Sequence, residues 1–126
     1  MKFINQIVME GVIADKSALY NSLKGRKAYT IMWHKTNNQE FLVKVISSKM
    51  YRQAVLDLEK GDIVTFYGYV IFIDRETKNT KPFPVLIMDR MRVLDVDKSY
   101  GLEMLEDADL KDLIDIKRLP LPWEKE

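Results

Sequence analysis

The sequence predicts a mainly all-β protein: a five-stranded barrel with one helix between its third and fourth strands, followed by an acidic C-terminal extension. Three observations point there. Residues 61–73, Gly-Asp-Ile-Val-Thr-Phe-Tyr-Gly-Tyr-Val-Ile-Phe-Ile, are dense in β-branched and aromatic side chains and are broken only by Gly68, which makes them one long strand. An earlier run, Phe3 to Ala14, is built the same way around Gly11, and strands that curl into a small closed sheet need such a position where they turn a corner. Between the two lies a single stretch with helical spacing, Lys49 to Lys60.

Taken in order, the first strand sets Ile7, Met9, Gly11 and Ile13 on one face and Val8, Glu10 and Val12 on the other. Asp15 to Gly25 is polar and ends on a turn residue, which predicts a loop. Arg26 to Lys35 is the second strand, alternating Tyr29, Ile31 and Trp33 with Ala28, Thr30, Met32 and His34. Thr36-Asn37-Asn38-Gln39 has hairpin length and makes the third strand, Glu40 to Ile46, its antiparallel neighbour. There Phe41, Val43 and Val45 oppose Leu42, Lys44 and Ile46, so Lys44 marks the wetter face. Ser47-Ser48 offers an N-cap and Gly61 a stop for the helix, whose Met50, Ala54, Val55 and Leu58 share a side. In the fourth strand Val64, Phe66, Gly68 and Val70 form the core face, and Thr65, Tyr67, Tyr69 and Ile71 form a face suited to meeting a partner. Asp74 to Pro82 is a polar, basic hairpin loop, and Val85 to Val96 closes the sheet with Leu86, Met88, Arg90 and Arg92 opposite Val85, Ile87 and Met91. The division expected is a domain over residues 1–98 and an acidic, partly helical extension over 99–126, with Glu103 to Ile116 helical and Leu119 to Trp123 kept extended by Pro120 and Pro122.

Three strands, a helix and two strands is the order of an OB-fold, the partly open barrel whose second and third strands and adjoining loops often bind oligonucleotides. Over about residues 5–94 the chain also resembles the bacterial and phage single-stranded DNA-binding proteins. The likeness rests on Asn5-Gln6-Ile7-Val8-Met9-Glu10-Gly11, on Lys60-Gly61 leading into Val64 and Gly68, and on Met88-Asp89-Arg90-Met91-Arg92-Val93-Leu94. An ungapped match through the helix sets Phe41 where that family commonly has a DNA-stacking tryptophan, sets Ser47 where it has a phenylalanine, and turns Lys44 inward. A shift of one residue keeps Lys44 outward and gives up the Phe41 equivalence. The family's long linker and acidic Pro-Phe tip are replaced here by Leu121-Pro122-Trp123-Glu124-Lys125-Glu126.

Charge agrees with an anionic partner once it is divided along the chain. Residues 1–98 carry 16 Lys and Arg against 11 Asp and Glu, and residues 99–126 carry 4 against 8. A basic body with an acidic tail suits nucleic acid on the body. The expected function is sequence-non-specific binding and protection of single-stranded DNA in replication, recombination and repair. The alternative is a protein-interaction module on the same fold. Stacking candidates are Trp33, Phe41, Tyr67 and Tyr69; phosphate candidates are Lys24, Arg26, Lys27, Lys44, Arg75, Lys78 and Lys81.

No catalytic residue, cofactor or metal is expected. His34 has neither a metal set nor a nucleophile near it in sequence, the acids Glu106, Asp107, Asp109, Asp112 and Asp115 lack the spacing of a calcium loop, and no phosphate-binding glycine motif occurs. Cysteine is absent, and no apolar run approaches the roughly 20 residues of a membrane span, so the reading is a cytoplasmic, non-membrane protein. The resemblance implies a homo-oligomer, dimer or tetramer, with Tyr67, Ile71 and Ile73 at the interface, and replication or recombination proteins as possible clients of the extension. The extension has two alternative roles: lying over the basic groove as a competitor with Trp123 mimicking a base, or packing on the barrel through Leu102, Leu105, Leu110, Leu113 and Ile114.

Overall fold

The computed structural model describes residues 4–22, 25–73 and 82–118. Its elements are β1 (Ile7–Ile13), β2 (Ala18–Ser22), β3 (Gly25–Lys35), β4 (Glu40–Ile46), α1 (Arg52–Leu56), β5 (Ile63–Ile73), β6 (Phe83–Val93), α2 (Lys98–Glu106) and α3 (Leu113–Arg118). The sheet runs β1-β5-β6-β4-β3-β2, and β1 pairs again with β3 through Val12↔Trp33 and Ile13↔Met32, which closes five strands into a barrel. All pairings are antiparallel except β4 with β6.

Alternation decides the interior. Met9, Ile13, Ala28, Met32, Val43, Val45, Val64, Phe66, Leu86 and Met88 point inward, and Val55 and Leu58 from the helical turn join them. Gly11 and Gly68 sit where strands press together: an added Cβ would lie 2.3 Å from the Trp33 carbonyl oxygen at the first and 2.1 Å from that of Ile87 at the second. At Gly68 the pairing also slips, from Tyr67↔Arg90 to Gly68↔Met88, so Asp89 is an extra residue on β6.

Three expectations are corrected. The loop predicted over Asp15 to Gly25 contains β2, which pairs with β3 from Ala18↔Tyr29 to Ser22↔Gly25. Polar composition concealed it because β2 is an edge strand bonded on one side and outside the barrel closure. The helix predicted over Lys49 to Lys60 is shorter, and Ser47 does not cap it; the Ser47 hydroxyl oxygen instead accepts from the Ala28 N–H at 3.1 Å. The predicted faces of the last strand do not hold along its length. The bulge at Asp89 reverses the alternation, so Leu86 and Met88 face inward while Arg90 and Arg92 face outward.

Residues 98–118 form a strap over one outer face of the barrel. Leu105 and Ile116 are buried, and Ala108, Leu110 and Leu113 are partly so, against Val12, Ile31, Trp33, Leu42, Ile46, Ile73, Phe83 and Val85. The strap begins where Gly101 crosses Gly61, so closely that a Cβ on Gly101 would lie 1.8 Å from the Gly61 oxygen. It ends where the Lys117 ammonium meets Asp15 Oδ2 at 2.7 Å. Burial pushes the Asp15 carboxyl up, but the hydrogen bond and charge of Lys117 and the N–H of Lys16 outweigh it and hold the group below its ordinary 3.8. The hydrogen bond to Asp15 raises Lys117 above 10.5.

Candidate nucleic-acid interface

The strands that make the barrel also make two outer faces. On the first, formed by β3 and β4, the outward positions are Tyr29, Ile31 and Trp33 on β3 and Leu42, Lys44 and Ile46 on β4. Trp33 is only 7% exposed and Lys44 only 5%. The indole Nε1–H donates to Glu40 Oε2 at 2.9 Å, and the same oxygen accepts the Asp109 N–H of the strap at 3.2 Å. Lys44 reaches the Lys117 carbonyl at 3.4 Å and lies 4.6 Å from the centre of the Tyr29 ring. Lys44 thus leaves the barrel on the side that alternation assigns, but under protein and not under water. Lys27 is half-buried on the same side of β3, and Arg26 is exposed at the strand's start.

The second outer face belongs to β1, β5 and β6. Register sets Val8, Tyr67 and Arg90 in one row across the three strands and Glu10, Thr65 and Arg92 in the next, with Tyr69 opposite Ile87 beyond them. The Arg90 guanidinium stacks 4.1 Å from the Tyr67 ring centre. Tyr69 is 45% exposed and Val8 62%, and both arginines are exposed. The Thr65 hydroxyl donates to Glu10 Oε2 at 3.0 Å, so the carboxylate of that row already has a partner. Ile71 and Ile73, expected at an interface between copies, instead pack in the cluster under the strap.

Phe41 lies on neither face. It pairs with His34, their rings 5.3 Å apart, and packs toward the interior at the barrel mouth. An open cleft of about 990 Å³ lies there, lined by Phe41, Val70, Phe72 and Pro84 and rimmed by Glu40 and the strap's Asp109 and Asp112. His34 Nδ1 is 2.7 Å from the Glu10 carbonyl oxygen, a structural contact that ties β3 to β1. Lys24, Arg75, Lys78, Lys81 and Trp123 lie outside the described residues. Among the described residues no group of three or more His, Asp or Glu is arranged to hold a metal ion, and no helix is long and apolar enough to cross a membrane.

The structure therefore divides the candidates, with Trp33, Lys27 and Lys44 on one face and Tyr67 and Tyr69 on the other, and it adds Arg90 and Arg92, which the sequence reading did not name among them, to the tyrosine face. The signal that could have found them is Gly68 itself, since a glycine bend in one strand invites a bulge in its partner.

No protein-family model matches the sequence, and no curated protein does. Solved structures do match in three dimensions. The small single-stranded DNA-binding protein of Streptomyces coelicolor aligns at a TM-score of 0.61 and 13% identity, covering 75% of this chain and 97% of that one. The chain is an OB-fold of the kind found in single-stranded DNA-binding proteins. The Plasmodium falciparum protein, solved in complex with single-stranded DNA, aligns at 0.59 and 15% identity over 75% of this chain and 98% of its own. The Thermus aquaticus protein gives 0.59 and 16%, with this OB-fold chain spanning 42% of its length.

Proposed function

We propose that this OB-fold binds single-stranded DNA without sequence preference, coating strands exposed during replication, recombination or repair. The observation that carries the reading is the open β1–β5–β6 face, where half-buried Tyr67 and exposed Tyr69 alternate along a strand beside outward, exposed arginines. Bases of any identity stack on such rings, and cations beside them follow the phosphates, so recognition by this chemistry is tolerant of sequence. The fold shared with proteins that carry that function supports it.

Self-association belongs to the same proposal. β3 bonds β1 only at Val12 and Ile13, so toward Ile7 that edge of β1 has no ladder partner among the described residues. A second copy paired there would continue the sheet and double the length of the open face. Anisotropy titration with labelled oligothymidylate at a series of salt concentrations tests the function. Affinity should fall linearly on a log–log plot as salt rises. Absence of salt-sensitive binding at low ionic strength would leave the chain as an interaction module.

A further inference from the structure

Within the reading that this chain binds single-stranded DNA, we infer that the DNA runs over the β1–β5–β6 face and not over the β3–β4 face on which oligonucleotides often lie in this fold. Two independent observations carry this.

The first is what closes the β3–β4 face. Its outward side chains are chiefly aliphatic, and the strap's Leu105 and Ile116 complete a second core over them. Lifting the strap would expose Ile31, Leu42, Ile46 and Val85 to water together, which makes it a fixed wall and not a lid. The outer surface of that wall is acidic: Glu103, Glu106, Asp107, Asp109 and Asp115 are exposed, and Asp112 is half-buried. A phosphate backbone is repelled there.

The second is what the open face offers. Tyr67 and Tyr69 project from the same side of one strand about 7 Å apart, a spacing that lets two successive bases of an extended strand lie one on each. Arg90, already stacked on Tyr67, extends that platform and keeps its outer N–H donors for a phosphate. Arg92 stands two residues along β6 in the row beside it. Among the described residues neither arginine is held in an ion pair. The acids on this face are Glu10, engaged by Thr65, and Asp89 on the bulge.

The test uses the full chain carrying Trp123→Phe, so that Trp33 is the only indole, and fluorescein-labelled oligothymidylate as probe. The variant Arg90→Ala/Arg92→Ala should weaken binding at least tenfold and lower the salt slope by roughly one to two. Tyr69→Ala should weaken binding roughly tenfold. The control Lys49→Ala/Lys60→Ala, exposed and away from this face, should leave affinity within about threefold, and Trp33 emission should not change on binding. All three substitutions on the open face are at exposed positions, and an unchanged melting temperature within a few degrees verifies folding. Wild-type affinity and slope in the double arginine variant, or quenching of Trp33 by DNA, overturns the inference and leaves DNA binding itself standing. Sedimentation showing that Tyr69→Ala converts an oligomer into monomers of unchanged affinity also overturns it, because the face would then join two copies. A wild-type chain that does not bind removes both this inference and the proposed function.

Discussion

The two outer faces of this barrel are made by strands of one sheet, yet they have opposite fates. On β3 and β4 the outward positions carry Ile31, Leu42 and Ile46, and the chain folds back to cover them together with Ile73, Phe83 and Val85; elsewhere on β5 and β6 they carry half-buried Tyr67 and exposed Tyr69, Arg90 and Arg92, which the chain leaves uncovered. The difference teaches that a cation and an indole do not by themselves make a ligand face. Lys44 and Trp33 have the chemistry expected of DNA contacts, but their neighbours are aliphatic and the strap has taken the surface.

Removing the strap's deepest anchor should break this contrast most forcefully. Ile116 is 1% exposed, and Ile116→Ala should cost about 2–4 kcal/mol in urea unfolding, with Trp33 becoming accessible to a soluble quencher. Gly101→Ala comes next: its methyl has no room beside Gly61, so α2 must shift, with an expected loss of about 1–3 kcal/mol and no loss of oligothymidylate affinity. Lys44→Met should change stability by less than about 1 kcal/mol, since an apolar side chain of similar length suits a buried site. DNA affinity should again be unchanged, in contrast to the same loss of charge at Arg90 and Arg92.

The smallest effect is the strap's terminal pin. Lys117→Ala should cost about 0.5 kcal/mol, as partly exposed ion pairs do. The sign of its pH dependence follows from both partners. Asp15 is depressed below 3.8, so its contribution exists above that value and disappears as pH falls through the folded-state pKa. Lys117 is raised above 10.5, so its contribution exists below that value and disappears as pH rises through its folded-state pKa. The stability gap between wild type and variant, measured by thermal melts, should be flat from about pH 5 to about pH 9 and close at both extremes.

How far the sequence could be read depended on whether one period applied without interruption. The inward faces of β1, β3, β4 and β5 were legible because Ile7, Met9 and Ile13, or Val64 and Phe66, repeat at two with no insertion. The closing strand was misread past Met88 because one extra residue, Asp89, reverses every side chain after it. β2 was missed because an edge strand outside the barrel need not be apolar. The covered face left a trace that went unused. Phe41 to Ile46 is apolar on both sides except at Lys44, the signature of a strand buried twice, and only the fold shows that residues 98–118 supply the second burial.

The strap follows in the chain every strand that it covers. During synthesis β1 to β6 therefore leave the ribosome before Leu105 and Ile116 exist, and at about 5–20 residues per second the barrel can close seconds ahead of its cover. For that interval the aliphatic side of β3, β4 and β6 is bare, and neighbouring nascent chains carry the same bare patch. The acids alternating with the strap's anchors have a use at this stage that is independent of any ligand. Once docked, they turn an adhesive surface into one that repels its own copies, so helices made after the barrel also end the period in which the chain is prone to aggregate.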